Sequence, residues 1–289
     1  MDNAQVWLKG GAGQTYDTSV EGGRLVAWGN QVADTLTEAQ FSQVPTPTKR
    51  PALTALNELV GGEFDGSNDF LQAGDTDSLD SLGTFLMAAV IKPTLDTSAR
   101  AILSKGTANV DGSFSWRITG TGNSSKLSMV LFDAGDTNSI SMESAASPFA
   151  SDTDNVCLVY KTASTARHRV NGSDSGPGPT NAFMNSVTGN VSNPTMLGEF
   201  QGGGCDPFDG NIYEVVAAAD SFSNTEDIVS VEGYLAHRFG LESKLPSTHK
   251  YSAFAPAVGL VGNHNNDLSG EISLDISGKV ASDGPAGII

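Results

Sequence analysis

The chain has 289 residues, with 33 acidic against 16 basic side chains and a formal charge of −17, a balance that repels phosphate backbones and argues against a general nucleic-acid binder or a polybasic membrane-surface protein. Charged residues make up only 17% while glycine reaches 33 and proline 12, a mix poor in helix formers and rich in turn formers that predicts an all-β fold. The longest apolar stretch, Phe85–Ile91, falls far short of the ~20 residues that span a bilayer, and Met1-Asp2-Asn3 runs almost directly into Val6-Trp7-Leu8, so neither a membrane span nor a secretory leader is expected.

Along the chain, short apolar runs alternate with clusters of Gly, Asn, Asp and Ser in the rhythm of a sandwich. Strands are predicted at Val6–Leu8, Leu25–Trp28, Gly62–Phe64, Phe70–Ala73, Thr84–Lys92 and Arg100–Lys105. Further strands are predicted at Phe114–Thr119, Lys126–Phe132, Asn155–Lys161, Thr165–Val170, Thr195–Gly198 and Asn211–Ala218. Between Phe114 and Thr119 the apolar Phe114, Trp116 and Ile118 alternate with Ser115, Arg117 and Thr119, the period of a half-buried strand. Asn171-Gly172 carries a type I′ hairpin signal, since both residues tolerate positive φ.

One helix is predicted, Thr225–Phe239. Ser223 and Glu226 have capping-box spacing, Ile228, Val231, Leu235 and Phe239 share one face, and Gly240 is placed to end the helix. After Tyr251 the composition loosens. Ile272, Leu274 and Ile276 alternate with Ser273, Asp275 and Ser277 before a Gly-rich end, so residues 1–253 read as one domain and 254–289 as an extended interaction tail. A strand of that pattern gains most by adding to a sheet edge on a neighbouring copy or on a scaffold protein, the alternative being an intramolecular return onto its own sandwich.

Several stretches resemble one family. They are Val6-Trp7-Leu8-Lys9 with Val26-Ala27-Trp28, Glu63 to Leu71 (EFDGSNDFL), Val170-Asn171-Gly172, Phe208 to Val215 (FDGNIYEV), and Glu232 to Leu241 (EGYLAHRFGL) continuing through Leu245-Pro246 to His249-Lys250-Tyr251. Together they resemble the LamG-like jelly rolls of the concanavalin A-like lectin and glucanase superfamily, over most of residues 4–253. The resemblance implies a jelly-roll β-sandwich of two antiparallel sheets with one C-terminal helix. Each Phe-Asp-Gly is explained structurally, with Phe in the core, Asp bonding the backbone two residues on, and Gly in the turn.

Chemistry is sparse. Glu63 and Asp65 alternate about Phe64 as paired glucanase carboxylates would, but no third carboxylate follows. His168, His237, His249 and His264 have no metal-ligand spacing, and Gly172-Ser-Asp-Ser-Gly176 has Asp where a nucleophile elbow needs Ser. Cys157 and Cys205 form no disulfide framework and read as reduced bystanders. Because related sandwiches hold calcium at loop rims, the acidic run Asp65, Asp69, Asp75, Asp77 and Asp80 is the candidate for that ion, with Asp65 and Asp69 as the site residues. Trp7, Trp28 and Trp116 are assigned to the core, which leaves Tyr16, Phe200 and Phe208 as loop aromatics. The expectation is a non-enzymatic interaction protein of a bacteriophage virion surface, capsid-decorating or tail-associated, that adheres to cell-surface glycans. The alternative is a carbohydrate-binding module of a bacterial surface or secreted protein.

Overall fold

A computed structural model describes residue 4 and residues 6–256, apart from positions 21, 32–39, 44–45, 81, 108–109, 111, 133–138, 146–147, 177–179, 186–191, 201–205 and 220–224. The strands run β1 (Val6–Leu8), β2 (Gln14–Asp17), β3 (Arg24–Gly29), β4 (Gln40–Ser42), β5 (Ala52–Leu56), β6 (Leu59–Asp65), β7 (Leu71–Asp75), β8 (Phe85–Pro93) and β9 (Arg100–Lys105). They continue with β10 (Phe114–Ile118), β11 (Leu127–Phe132), β12 (Ser139–Glu143), β13 (Asn155–Lys161), β14 (Ala166–Val170) and β15 (Ser173–Asp174). After the short α1 (Asn181–Asn185) come β16 (Pro194–Leu197), β17 (Asp209–Ala219) and the helix α2 (Thr225–Arg238). Every predicted strand overlaps an observed one. The sequence reading omitted β2, β4, β5, β12, β15 and α1, which are short and carry weak alternation. β2, for example, is partly or fully exposed along its length and rests on its ladder with β3.

All strand pairs are antiparallel and form the two layers of a jelly-roll sandwich. The front layer has the order β2-β3-β4-β7-β16-β9-β10-β11-β12, and the back layer β15-β14-β13-β8-β17-β6-β5. β1 pairs with the C-terminal half of β17, beside the stretch that β6 occupies, and the Arg24–Ala52 bridge joins β3 to β5 across the layers. Between the layers lies the main core, built around Trp28, Phe41, Phe64, Phe85, Phe114, Trp116 and Phe208. Trp28 and Trp116 therefore sit where the sequence placed them. Phe208 is a core residue as well, and Phe200 is buried in a stack on Phe132, so neither is a loop aromatic open to ligand.

β8 shows why its sequence is apolar at every position. Phe85, Met87, Ala89 and Ile91 face the main core, while Leu86, Ala88 and Val90 face outward into a second cluster under α2. A strand covered on both faces needs no polar alternation. The helix fills this second cluster with Ile228, Val231, Leu235, Ala236 and Phe239, the face the 3–4 spacing required. It ends one residue before the predicted boundary, although Phe239 N–H still donates to Leu235 O at 3.1 Å, and Gly240 follows with φ +68°. Ser223 of the expected capping box lies outside the described residues, as does the tail segment of Ile272, Leu274 and Ile276.

Residues 245–252 fold back against the helix. At Gly233 a Cβ would stand 2.6 Å from Tyr251 Cβ, so only glycine lets this ring lie on the helix surface. Tyr251 O then accepts from His237 Nε2 at 2.7 Å, and its hydroxyl meets Ser230 Oγ at 3.1 Å. Leu235 is fully buried at the centre of the helix–sheet cluster. Leu235→Ala is expected to destabilise the fold by about 2–5 kcal/mol through lost burial and a residual cavity, as read by denaturant unfolding; a change below ~1 kcal/mol would show that the helix face closes over the gap or contributes little.

Candidate functional site

Phe64 points into the core, so the neighbouring Glu63 and Asp65 emerge on the outer face of the back layer. Register does the rest. Glu63 lies opposite Asn211, which lies opposite Lys92, and Asp65 lies opposite Asp209, whose carbonyl accepts Thr94 N–H at 2.9 Å. With Asp152 these groups line an open cleft of about 390 Å³ on the outer face of the back layer. Four carboxylates, one ammonium, one amide and one hydroxyl thus face a common space, with a nearly wholly polar lining.

Most of the carboxylates are already held. Asp65 Oδ1 accepts the N–H groups of Ser67, Asn68 and Asp69 at 2.8, 3.1 and 3.4 Å, the turn its Phe-Asp-Gly context predicted. Asp152 accepts from Thr94 Oγ1 at 3.0 Å and from Ser151 Oγ at 3.1 Å. Asp209 does not repeat the local turn of Asp65. It lies 3.6 Å from Arg100, and burial raises its carboxyl above the usual range against that opposing charge.

The candidate calcium residues separate into two places. Asp65 borders the cleft, whereas Asp69 is 1% exposed, with Oδ2 accepting Asp65 N–H at 3.2 Å and Oδ1 lacking a hydrogen-bond partner among the described residues. Asp65 spends Oδ1 on its own turn and Asp69 spends Oδ2 on Asp65, which leaves Asp69 Oδ1 as the buried oxygen of this pair without a partner among the described residues. Asp75, Asp77 and Asp80 do gather, with one oxygen from each within 4.8 Å of the others. Here a cation of the chain itself intervenes. Lys105, fully buried at the end of β9, places Nζ 2.7 Å from Asp75 Oδ1 and 2.8 Å from Thr76 O, and bonds Asp80 Oδ1.

Two wholly buried carboxylates belong to the motifs that carried the family resemblance, and sequence reasoning did not single them out. Glu214 accepts Trp7 Nε1 at 2.8 Å, Gly10 N at 3.1 Å and Arg238 Nε at 2.9 Å. Trp7 is accordingly only half-buried, held edge-on to Tyr234 and not packed between the layers as expected. Glu232 accepts Arg169 Nε and Nη2 at 3.0 and 2.9 Å, Gly172 N at 2.8 Å and His249 Nε2 at 3.2 Å. Gly172 can present this N–H because the Asn171-Gly172 turn has φ +49° and +82°, as predicted. These clusters are structural clamps. A glutamate flanked by strand or helix apolar residues, with Arg and Trp elsewhere in matching motifs, was the available signal.

The histidines take structural places too. His168 is buried with Nε2 2.9 Å from Met142 O, so this nitrogen carries the proton, and burial pushes the imidazole down to about 4. His237 and His249 serve the helix clamp, whereas His264 lies outside the described residues. Cys157 is a buried free thiol whose pKa burial drives upward; Cys205 lies outside the described residues.

No protein-family model matches the chain, and no curated protein matches it. Among solved structures it is similar to the CBM40 of the Ruminococcus gnavus IT-sialidase bound to α2,3-sialyllactose, at 21% identity over 53% of this chain and 88% of that one, with a TM-score of 0.43. It is similar to the enzymatically active domain of tailspike protein 2 of bacteriophage CBA120, at 16% identity over 65% of this chain and 29% of that one, with a TM-score of 0.45. A third is the native heptameric SAP-like pentraxin of Limulus polyphemus, at 16% identity over 59% and 80% of the two chains, with a TM-score of 0.43.

Asp69 and His168 pull stability in opposite directions with pH. Burial, reinforced by the Asp65 charge, raises the Asp69 carboxyl to about 7, so between pH ~4 and 7 the folded state holds a proton the unfolded chain releases, and stability falls as pH rises. For His168, lowered to about 4, the unfolded chain holds the extra proton between pH ~4 and 6.5, and stability rises with pH. Their contributions cancel over the shared window. In Asp69→Asn the opposing contribution of Asp69 is gone, so stability should climb by up to ~1.4 kcal/mol per pH unit more steeply than in the wild type between pH 4 and 6.5. At pH 8 the variant should exceed the wild type by about 2–4 kcal/mol. Denaturant unfolding across pH reads both, and parallel wild-type and variant profiles would refute the assignment.

Proposed function

We propose that the chain is a non-catalytic interaction protein, a LamG-like jelly roll carried on a bacteriophage virion surface as a capsid-decorating or tail-associated protein, which adheres to glycans through the polar cleft of its back layer. The observation that carries this reading is the lining of that cleft. Carboxylates of Glu63, Asp65, Asp152 and Asp209 accept from hydroxyls, and Lys92 donates to them, while the Asn211 amide NH2 is held by Thr54 Oγ1 and Tyr213 Oη, a set that fits a ligand dense in vicinal hydroxyl groups. The non-catalytic part is supported by the ties on three of the four acids. Glycoside hydrolysis needs one carboxyl free to donate a proton and another free to attack or to activate water, whereas Asp65, Asp152 and Asp209 are engaged by turn N–H groups, hydroxyls and Arg100.

The virion reading adds the tail. The alternation of Ile272, Leu274 and Ile276 suits strand addition to a neighbouring copy or to a capsid or tail scaffold protein, and the −17 charge keeps densely displayed copies apart from nucleic acid. A carbohydrate-binding module of a bacterial surface or secreted protein would use the same cleft without that attachment.

Glycan-array binding followed by calorimetry tests the proposal. Lys92→Ala should weaken glycan affinity by about ten- to a hundredfold, the scale of a hydrogen bond from a charged donor, while leaving the melting temperature in place. Unchanged affinity would place the ligand elsewhere. Glycan turnover that disappears in Glu63→Gln would instead make the protein a hydrolase. Deleting residues 254–289 should abolish oligomer or particle attachment and preserve glycan binding; attachment that survives the deletion rules out the tail as the attachment arm and favours the free-standing module.

A further inference from the structure

We infer that Lys105 is a tethered counter-ion standing in a cation site of oxygen ligands, so that this chain closes the loop after β7 with its own ammonium in the position a divalent ion would take. Three observations converge. An ammonium has three donors; Lys105 Nζ donates to Thr76 O at 2.8 Å and to Asp80 Oδ1, and pairs by charge with Asp75 Oδ1 at 2.7 Å, an oxygen left without a hydrogen-bond partner among the described residues. The side chain is fully buried, and Asp80 is 7% exposed, so the charge is not a surface lysine that happens to lie near acids.

The second observation is the surplus of oxygen around it. Asp77 brings a third carboxylate within 4.8 Å of the other two. The hydroxyls of Thr76 and Thr195, in side chains 2% and 0% exposed, are buried without a hydrogen-bond partner among the described residues. Thr195 stands directly across from Lys105 in the β9–β16 ladder, and Pro194 across from Asp75 in the β16–β7 ladder. The hydroxyls therefore flank the same knot. An ammonium satisfies three acceptors, while a calcium ion takes six to eight oxygens, which is closer to what the chain provides here. The third observation is position: the knot binds β7, β9 and β16 at their shared end, where burying Asp80 without a cation would leave an uncompensated charge.

The site therefore has the donor chemistry of a hard divalent ion but a resident lysine, and the wild-type protein should neither need nor respond to calcium. Replacing Lys105 by Met keeps the bulk and removes the charge. Melting of Lys105→Met in a chelator should fall by roughly 5–15 °C relative to wild type, and millimolar calcium should restore at least half of that loss. Magnesium should restore less, since it demands tighter octahedral geometry and keeps its waters. Adding Asp80→Asn should eliminate the calcium recovery. The wild type should melt at the same temperature in chelator and in calcium. A wild-type rise with calcium that Asp80→Asn removes would overturn the inference, as would a Met variant that calcium does not recover. Should that variant fail to fold in either condition, Lys105→Gln, which keeps a donor for Thr76 O, is carried through the same titration. No calcium recovery there also overturns it.

Discussion

The carboxylate of Glu214, with no exposure to solvent, is the tie on which the closure of the sandwich depends. It takes hydrogen bonds from Trp7 and Gly10 near the start of the chain and from Arg238 at the end of α2, while itself belonging to the central strand β17. Removing such a charge from water costs several kcal/mol unless its lone pairs are filled, and here burial still raises its pKa despite the donors around it. The arrangement is favourable only when β1, β17 and α2 are all in place. Glu232 repeats the device on the helix, joining the β14–β15 hairpin, through Arg169 and Gly172, to His249 in the C-terminal strap.

Glu214 faces the helix because β17 is irregular. The ladder with β8 shifts register between Ile212 and Glu214, so Tyr213 and Glu214 both turn outward, while Val215, Ala217 and Ala219 resume the inward face. One extra residue in a strand reverses the face of everything beyond it. Without this bulge Glu214 would point into a core of Phe and Trp side chains. The same irregularity separates the two uses of the outer face of the back layer. On the N-terminal side of the bulge Asp209 and Asn211 open onto the polar cleft, and on the C-terminal side the strand lies under an apolar helix.

Charge is distributed with the same economy. The surplus of acids is not merely a solvated surface, since several carboxylates are internal. Asp69, Asp80, Glu214 and Glu232 are buried, and partly exposed acids pair with cations at the rim: Asp75 with Lys105, Asp209 with Arg100 and Asp206 with Arg117. Four of the cations, Arg50, Arg100, Lys105 and Lys161, are themselves buried. What remains outside is strongly negative, and four of its carboxylates line the cleft.

Alternation and turn chemistry in the amino-acid sequence determined most of the elements: β10 from Phe114, Trp116 and Ile118, α2 from Ile228, Val231, Leu235 and Phe239, its stop from Gly240, the hairpin from Asn171-Gly172, and the Asp65 turn. Each of these depends on residues a few positions apart, and period and φ preference act locally. Tertiary structure alone decided the rest. The weak strands β2, β4, β5 and β12 exist because a neighbour offers a ladder, and the cleft exists because register sets residues 63–65, 92–94, 152 and 209–211 side by side. The partner of a charge is likewise not written near it. Lys105 ends an apolar strand and meets Asp75 and Asp80 through the order β7-β16-β9, and Glu214 meets Arg238 through a bulge, so that a shift of one residue in either ladder would have paired different groups or none.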